Sequence, residues 1–173
     1  MKSILILLTI PILFVSCGTT VAVDYDKETN FSQYTTYNYY PNIESGLNGL
    51  DEKRIMRVTD SLLQSRGWSR SDAPQVLINF YASEQISASR NTIGFGVGSG
   101  GGNVGVGVGG GIPIGGRNID QRLTFDLIDV SSDALIWQAQ ADGQYKEKAT
   151  PEQKVRYYEN TLQKILKKYP PKS

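Results

Sequence analysis

Cys17 is the one thiol in the 173-residue chain, and its position gives that thiol a reaction. Lys2 supplies a positive start and Ile4 to Val15 run almost wholly apolar. Val15-Ser16-Cys17 closes the run on short side chains, with Phe14 in the third position before the cysteine, where leucine is usual. This is the pattern of a lipoprotein signal peptide, in which residues 1–16 are removed and the cysteine receives acyl chains such as palmitate. An apolar run of this length falls short of the roughly 20 residues that a membrane-spanning helix needs. Gly18 follows the cysteine, in place of the aspartate that would hold such a protein at the inner membrane. The expectation is a lipid-anchored protein on the periplasmic face of the outer membrane, with residues 17–20 as the lipidated tether.

Composition narrows the remaining chemistry. The chain has no histidine, which removes Ser-His-Asp and Cys-His nucleophile pairs and the usual zinc, copper and haem ligation. Carboxylate chemistry, a Ser-Lys pair and oxygen-only cation binding survive. Asp24, Asp26 and Glu28 alternate as in the first half of a calcium loop. Thr29 stands where the turn glycine belongs, however, and Thr35 where the closing glutamate belongs; turn and solvent hydrogen bonds explain the acids more simply. Tyr37, Tyr39 and Tyr40 could stack on sugar rings, although half-buried sheet tyrosines leave the same signature. No catalytic residue, cofactor-binding residue or metal ligand is assigned. Without its leader the chain has 17 basic residues against 17 acidic ones. That balance lacks the strong positive field on which nucleic-acid and polybasic membrane binding depend.

Thirteen of the eighteen glycines fall between Gly94 and Gly116. Gly96, Gly98 and Gly101, and again Gly105, Gly107 and Gly110, satisfy the dinucleotide-binding spacing formally. That motif works only where a helix begins at the glycines and turns its amino end to a pyrophosphate. Pro113 and more glycine follow instead, so no nucleotide role is read here. Phe95 and Val97, then Val104, Val106 and Val108, alternate with glycine on two arms, which predicts a hairpin insertion over 94–116 with one apolar face. That face is a candidate interaction surface for membrane, glycan or a partner strand, since glycine lets another backbone approach closely.

The elements that must carry these residues are written in the hydrophobic period. Val21 to Asp26 and Tyr34 to Tyr40 alternate as strands and are expected to form an opening hairpin. Asp51 and Glu52 open a helix with Ile55, Met56, Val58, Leu62 and Leu63 on its apolar side; Lys53, Arg54, Asp60 and Gln64 are expected on the outer side and Gly67 ends it. Val76 to Glu84, Ile119 to Asp129 and a strand through Trp137, Ala139 and Ala141 supply the centre of a sheet. Thr150-Pro151-Glu152-Gln153 is a capping box. It starts a helix with Val155, Tyr158, Leu162, Ile165, Leu166 and Tyr169 on one stripe, closed by Pro170 and Pro171.

Together, Val21-Ala22-Val23-Asp24-Tyr25-Asp26, Asn30-Phe31-Ser32-Gln33-Tyr34-Thr35-Thr36-Tyr37, the glycine-rich middle, Leu123 to Asp129, Ile136-Trp137-Gln138 and a final helix ending Tyr169-Pro170-Pro171 resemble domain-of-unknown-function family 4136. Its members look like lipoproteins of Gram-negative envelopes. The resemblance implies an α+β domain and a periplasmic setting, and brings no catalytic residues with it. The expected architecture is a single α+β domain over 21–173. It comprises an antiparallel or mixed sheet of about five to six strands, two helices packed on one face and the glycine-rich hairpin inserted between strands. The expected role is a non-enzymatic structural or binding component of the cell envelope, held by its lipid and meeting an envelope protein or glycan, with no nucleic acid and no cofactor. A carboxylate-based hydrolase and a glycan-binding module are the alternatives.

Overall fold

Alternation of apolar and polar residues marks three long strands that cross the domain. In the computed structural model, which describes residues 19–87, 92–94, 111–113 and 116–171, these are β4 (Val76–Ser87), β7 (Asn118–Asp129) and β8 (Ala134–Lys146). Four further segments complete the strands of the main sheet and its crossover. They are β1 (Thr20–Tyr25), β2 (Thr36–Tyr39), helix α1 (Gly49–Gln64) and the short β3 (Ser69–Arg70). Helix α2 (Pro151–Leu166) closes the fold. The six strands lie in the order β1-β8-β7-β4-β2-β3, antiparallel except where β2 runs parallel to β3 and β4. A parallel neighbour needs a crossover, and α1 supplies it.

Both helices pack on one face. Val76, Ile78 and Phe80 of β4, Leu123, Phe125 and Leu127 of β7, and Trp137, Ala139 and Ala141 of β8 are buried. They meet Ile55, Val58 and Leu63 of α1 and Tyr158, Leu162, Ile165 and Leu166 of α2. The small side chains of Ala139 and Ala141 leave room for the rings around them. Asn48 caps α1 by accepting from the amides of Leu50 and Asp51. At α2 both halves of the expected capping box are made: Thr150 accepts from the Gln153 amide, and Gln153 reaches back to the Thr150 amide at 2.9 Å.

Two expectations are corrected. The segments Val21–Asp26 and Tyr34–Tyr40 do not pair as a hairpin: β1 lies on one edge against β8, while β2 lies beyond β4 on the other side. Asp26 ends β1 by accepting from the Glu28 amide and the Thr29 hydroxyl. A 3-10 turn over Phe31–Gln33 then seats the Phe31 ring edge-on to Tyr25 and Tyr169. Alternation fixes which face a residue takes and is silent on which strand lies beside it. Asp60, expected to point away from the sheet, instead accepts from the hydroxyls of Tyr37 and Tyr39, each at 2.8 Å.

Of the glycine-rich segment, β5 (Thr92–Gly94) and β6 (Gly111–Pro113) pair antiparallel, with Ile93 opposite Ile112. Phe95, Val97, Val104, Val106 and Val108 lie outside the described residues, as do Cys17 and the leader. Among the described residues no helix is long and apolar enough to cross a membrane.

Candidate functional site

Among the described residues no helix lies on the second face of the sheet, and its side chains form cross-strand rows. On β4 these are Leu77, Asn79 and Tyr81, alternating with the buried Val76, Ile78 and Phe80. Register places Asn79 opposite Asp126 of β7, and Asp126 opposite Gln138 of β8. Gln138 Nε2 donates to Asp126 Oδ1 at 2.9 Å and Asn79 Nδ2 to Oδ2 at 3.5 Å. Burial raises the Asp126 pKa above its ordinary value, and the two amide bonds only partly oppose that. Further along, Arg122 pairs with Asp142 at 2.7 Å and Gln144 donates to Asp120. The face is therefore a ladder of amides and carboxylates.

Around Asp126 the ladder becomes a groove of about 520 Å³ walled by Tyr40, Asn42, Glu44, Tyr81, Ile128, Asp133 and Leu135. Tyr40 is 41% exposed, Tyr81 44% and Leu135 51%. Tyr40 reaches this face because it follows Tyr39 in the alternation of β2, and its amide still bonds the Ile78 carbonyl at 2.8 Å. The wall at Asn42 and Glu44 is the loop between β2 and α1, which docks on β4 through Ala82 N–H to the Ser45 carbonyl at 2.8 Å. Gly46 makes that docking feasible: its φ is +70°, and a Cβ there would stand 2.8 Å from the Ala82 carbonyl oxygen. Gly46→Ala should cost at least about 1 kcal/mol, since both the backbone strain and the close approach work against the side chain. Urea unfolding at equilibrium measures it.

Such a site offers acceptors, amide donors and exposed tyrosine faces. The carboxylate at its centre is hydrogen-bonded to two neutral amides. Tyrosine presents an apolar ring with a polar tip. That combination suits a ligand carrying both hydroxyls and apolar C–H faces.

Of the three candidate tyrosines, Tyr40 lines the groove and the other two do not. Tyr37 is fully buried and Tyr39 is 6% exposed. Their rings pack edge-to-face at 6.1 Å, and the Arg70 guanidinium lies over Tyr39 at 5.0 Å. Neither ring can offer a sugar a stacking surface, and burial drives both hydroxyl pKa values up. Asp24, within β1, accepts from the Tyr25 amide, and Asp26 holds the turn after β1 through the Glu28 amide. Asn79, Tyr81, Asp126, Gln138 and Leu135 were missed as a group. The signal available was an aromatic residue, Tyr81, on the polar side of an alternating strand. A second depression of about 560 Å³ lies on the outer side of α1 by Lys53, Arg57 and Gln64.

The profile of a family described as Domain of unknown function (DUF4136) matches residues 21–171. A comparison with curated proteins finds no match. Among solved structures, a PDZ domain protein from Parabacteroides distasonis is similar over 90% of this chain, with a TM-score of 0.57 at 12% identity; the chain spans 37% of that protein's length. The PelC dodecamer from Paraburkholderia phytofirmans is similar over 85% of this chain and 96% of its own, with a TM-score of 0.50 at 15% identity. At these identities the likeness is one of fold.

Proposed function

The chain belongs to the family described as Domain of unknown function (DUF4136), and we propose from its own surface that it is a lipid-anchored envelope protein whose uncovered sheet face binds carbohydrate. The reading of the leader supplies the setting: cleavage before Cys17, acylation of its thiol and residence on the periplasmic face of the outer membrane. The observation that carries the binding role is the pairing of exposed Tyr40 and Tyr81 with the Asn79–Asp126–Gln138 ladder on a face that no helix among the described residues covers. Sugar rings present axial C–H faces that pack on an aromatic ring, and hydroxyls that exchange hydrogen bonds with amides and carboxylates. Preformed hydrogen bonds among the three polar side chains hold their donors and acceptors in place before a ligand arrives.

The test is a screen of the mature protein against peptidoglycan fragments and envelope polysaccharides, followed by titration calorimetry on whatever binds. Tyr81→Ala should weaken binding at least about tenfold, or roughly 1.4 kcal/mol, with thermal unfolding unchanged because the ring is exposed. Failure of every glycan to bind, or affinity unchanged from the parent in the Tyr81→Ala and Tyr40→Ala proteins, would remove the proposal.

A further inference from the structure

The overall charge balance conceals a separation. Residues 49–70 and 150–171, the two helices with the turns that follow them, hold ten Lys or Arg against five Asp or Glu. The other described residues hold five basic residues against twelve acidic ones. The two helical segments are therefore net cationic and the rest of the described domain net anionic, a separation that the total for the chain does not show.

We propose that the helix layer rests on an anionic phospholipid surface, with Lys164, Lys167 and Lys168 of the α2 end and Arg66 at the contact, so that the sheet groove faces away from the lipid. This rests on the reading that Cys17 is acylated. The start of the described chain lies at this layer: Lys164 Nζ donates to the Thr19 carbonyl at 3.2 Å. Cys17 is two residues before Thr19, and two residues of chain span no more than about 7 Å. An acyl chain on Cys17 thus brings the lipid surface to within about one Debye length of Lys164. Lys164 lies in the last turn of α2, and Lys167 and Lys168 follow directly after it, both exposed. Arg66 joins the group from the turn after α1 by donating to the Leu166 carbonyl at 2.6 Å. Asp142, opposite Thr20 in register, is engaged by Arg122. Each such cation near an anionic surface favours contact by about five-fold.

The experiment uses the mature protein extracted from membranes, with its acyl group verified by intact mass. It is reconstituted on vesicles of phosphatidylcholine alone or with phosphatidylglycerol added, and its lysines are acetylated and mapped by mass spectrometry. Lys164, Lys167 and Lys168 should be labelled at least about five-fold more slowly on the anionic vesicles, with the protection lost in high salt, while Lys27 on the loop after β1 reacts equally on both. In a Lys167→Glu, Lys168→Glu protein, Lys164 should lose its protection. An acylated protein with equal labelling of the three lysines on both vesicles, or with Lys27 protected in their place, overturns the orientation alone. A protein whose mass shows no acyl group overturns the anchor and the orientation with it.

Discussion

Trp137→Ala will lower the unfolding free energy by about 3–5 kcal/mol, the range for emptying a large aromatic site in a packed core, and Trp137→Phe will cost much less. Trp137 is fully buried at the centre of β8. Its ring meets Phe125 at 6.5 Å and Tyr169 at 5.6 Å, both edge-on. Tyr169 in turn contacts Phe31 and Trp68, and Trp68 contacts Tyr37. The indole therefore joins the sheet to the two segments that close the end of the core, the 3-10 turn and the residues after α2. Its Nε1 is buried without a hydrogen-bond partner among the described residues, a penalty that phenylalanine does not incur. A phenyl ring keeps most of the edge-on contacts and drops the unpaired donor, so the two variants should separate clearly in urea midpoints at equal slope. Equal destabilisation by both would mean that the aromatic chain carries no special weight.

What the sequence made legible was whatever is encoded locally. Alternation found β4, β7 and β8 because each strand buries one face along most of its length, and the four residues Thr150 to Gln153 announced α2 by themselves. Partnership was not legible. Val21 to Asp26 and Tyr34 to Tyr40 are adjacent strand-like runs, and nothing within them says that a 3-10 turn carries the chain to the far side of the sheet. The groove was hidden for the same reason: Tyr40, Asn79, Tyr81, Asp126 and Leu135 come from four strand regions, and only the register of β2, β4, β7 and β8 brings them together. Tyr37 and Tyr39 were placed among the binding candidates because a tyrosine pattern of period two is compatible with either face. Their burial follows from α1, whose Asp60 supplies the acceptor that lets two phenols go inside. The charge separation was invisible to a sum, since the two helical segments and the rest of the domain cancel in the total.

Asp51→Ala should cost about 3 kcal/mol, at the lower end of the range for breaking a buried ion pair. Asp51 is 1% exposed in the first turn of α1, where its charge also suits the helix dipole. Its two oxygens take different cations, Arg54 from its own helix and Lys154 from α2, each at 2.6 Å. Lys154 also lies over the Tyr145 ring at 5.3 Å. Removing the carboxylate leaves two cations facing each other across the α1–α2 contact, and both are open enough to regain some water, which keeps the cost from rising further. Burial opposes the charge on Asp51, but the hydrogen bonds from Lys154, Asn48 and Arg54 outweigh it, and the pKa lies below its ordinary 3.8. A folded pKa below the unfolded one means that the stabilisation is present above about pH 4 and disappears as the pH falls through the depressed value. Asp51→Asn, which keeps the shape and one acceptor, should therefore be less stable than the parent at neutral pH, with the difference shrinking on acidification. Thermal unfolding of the two proteins across that range decides it: a gap that stays constant with pH would mean that shape, not charge, is what Asp51 contributes between the helices.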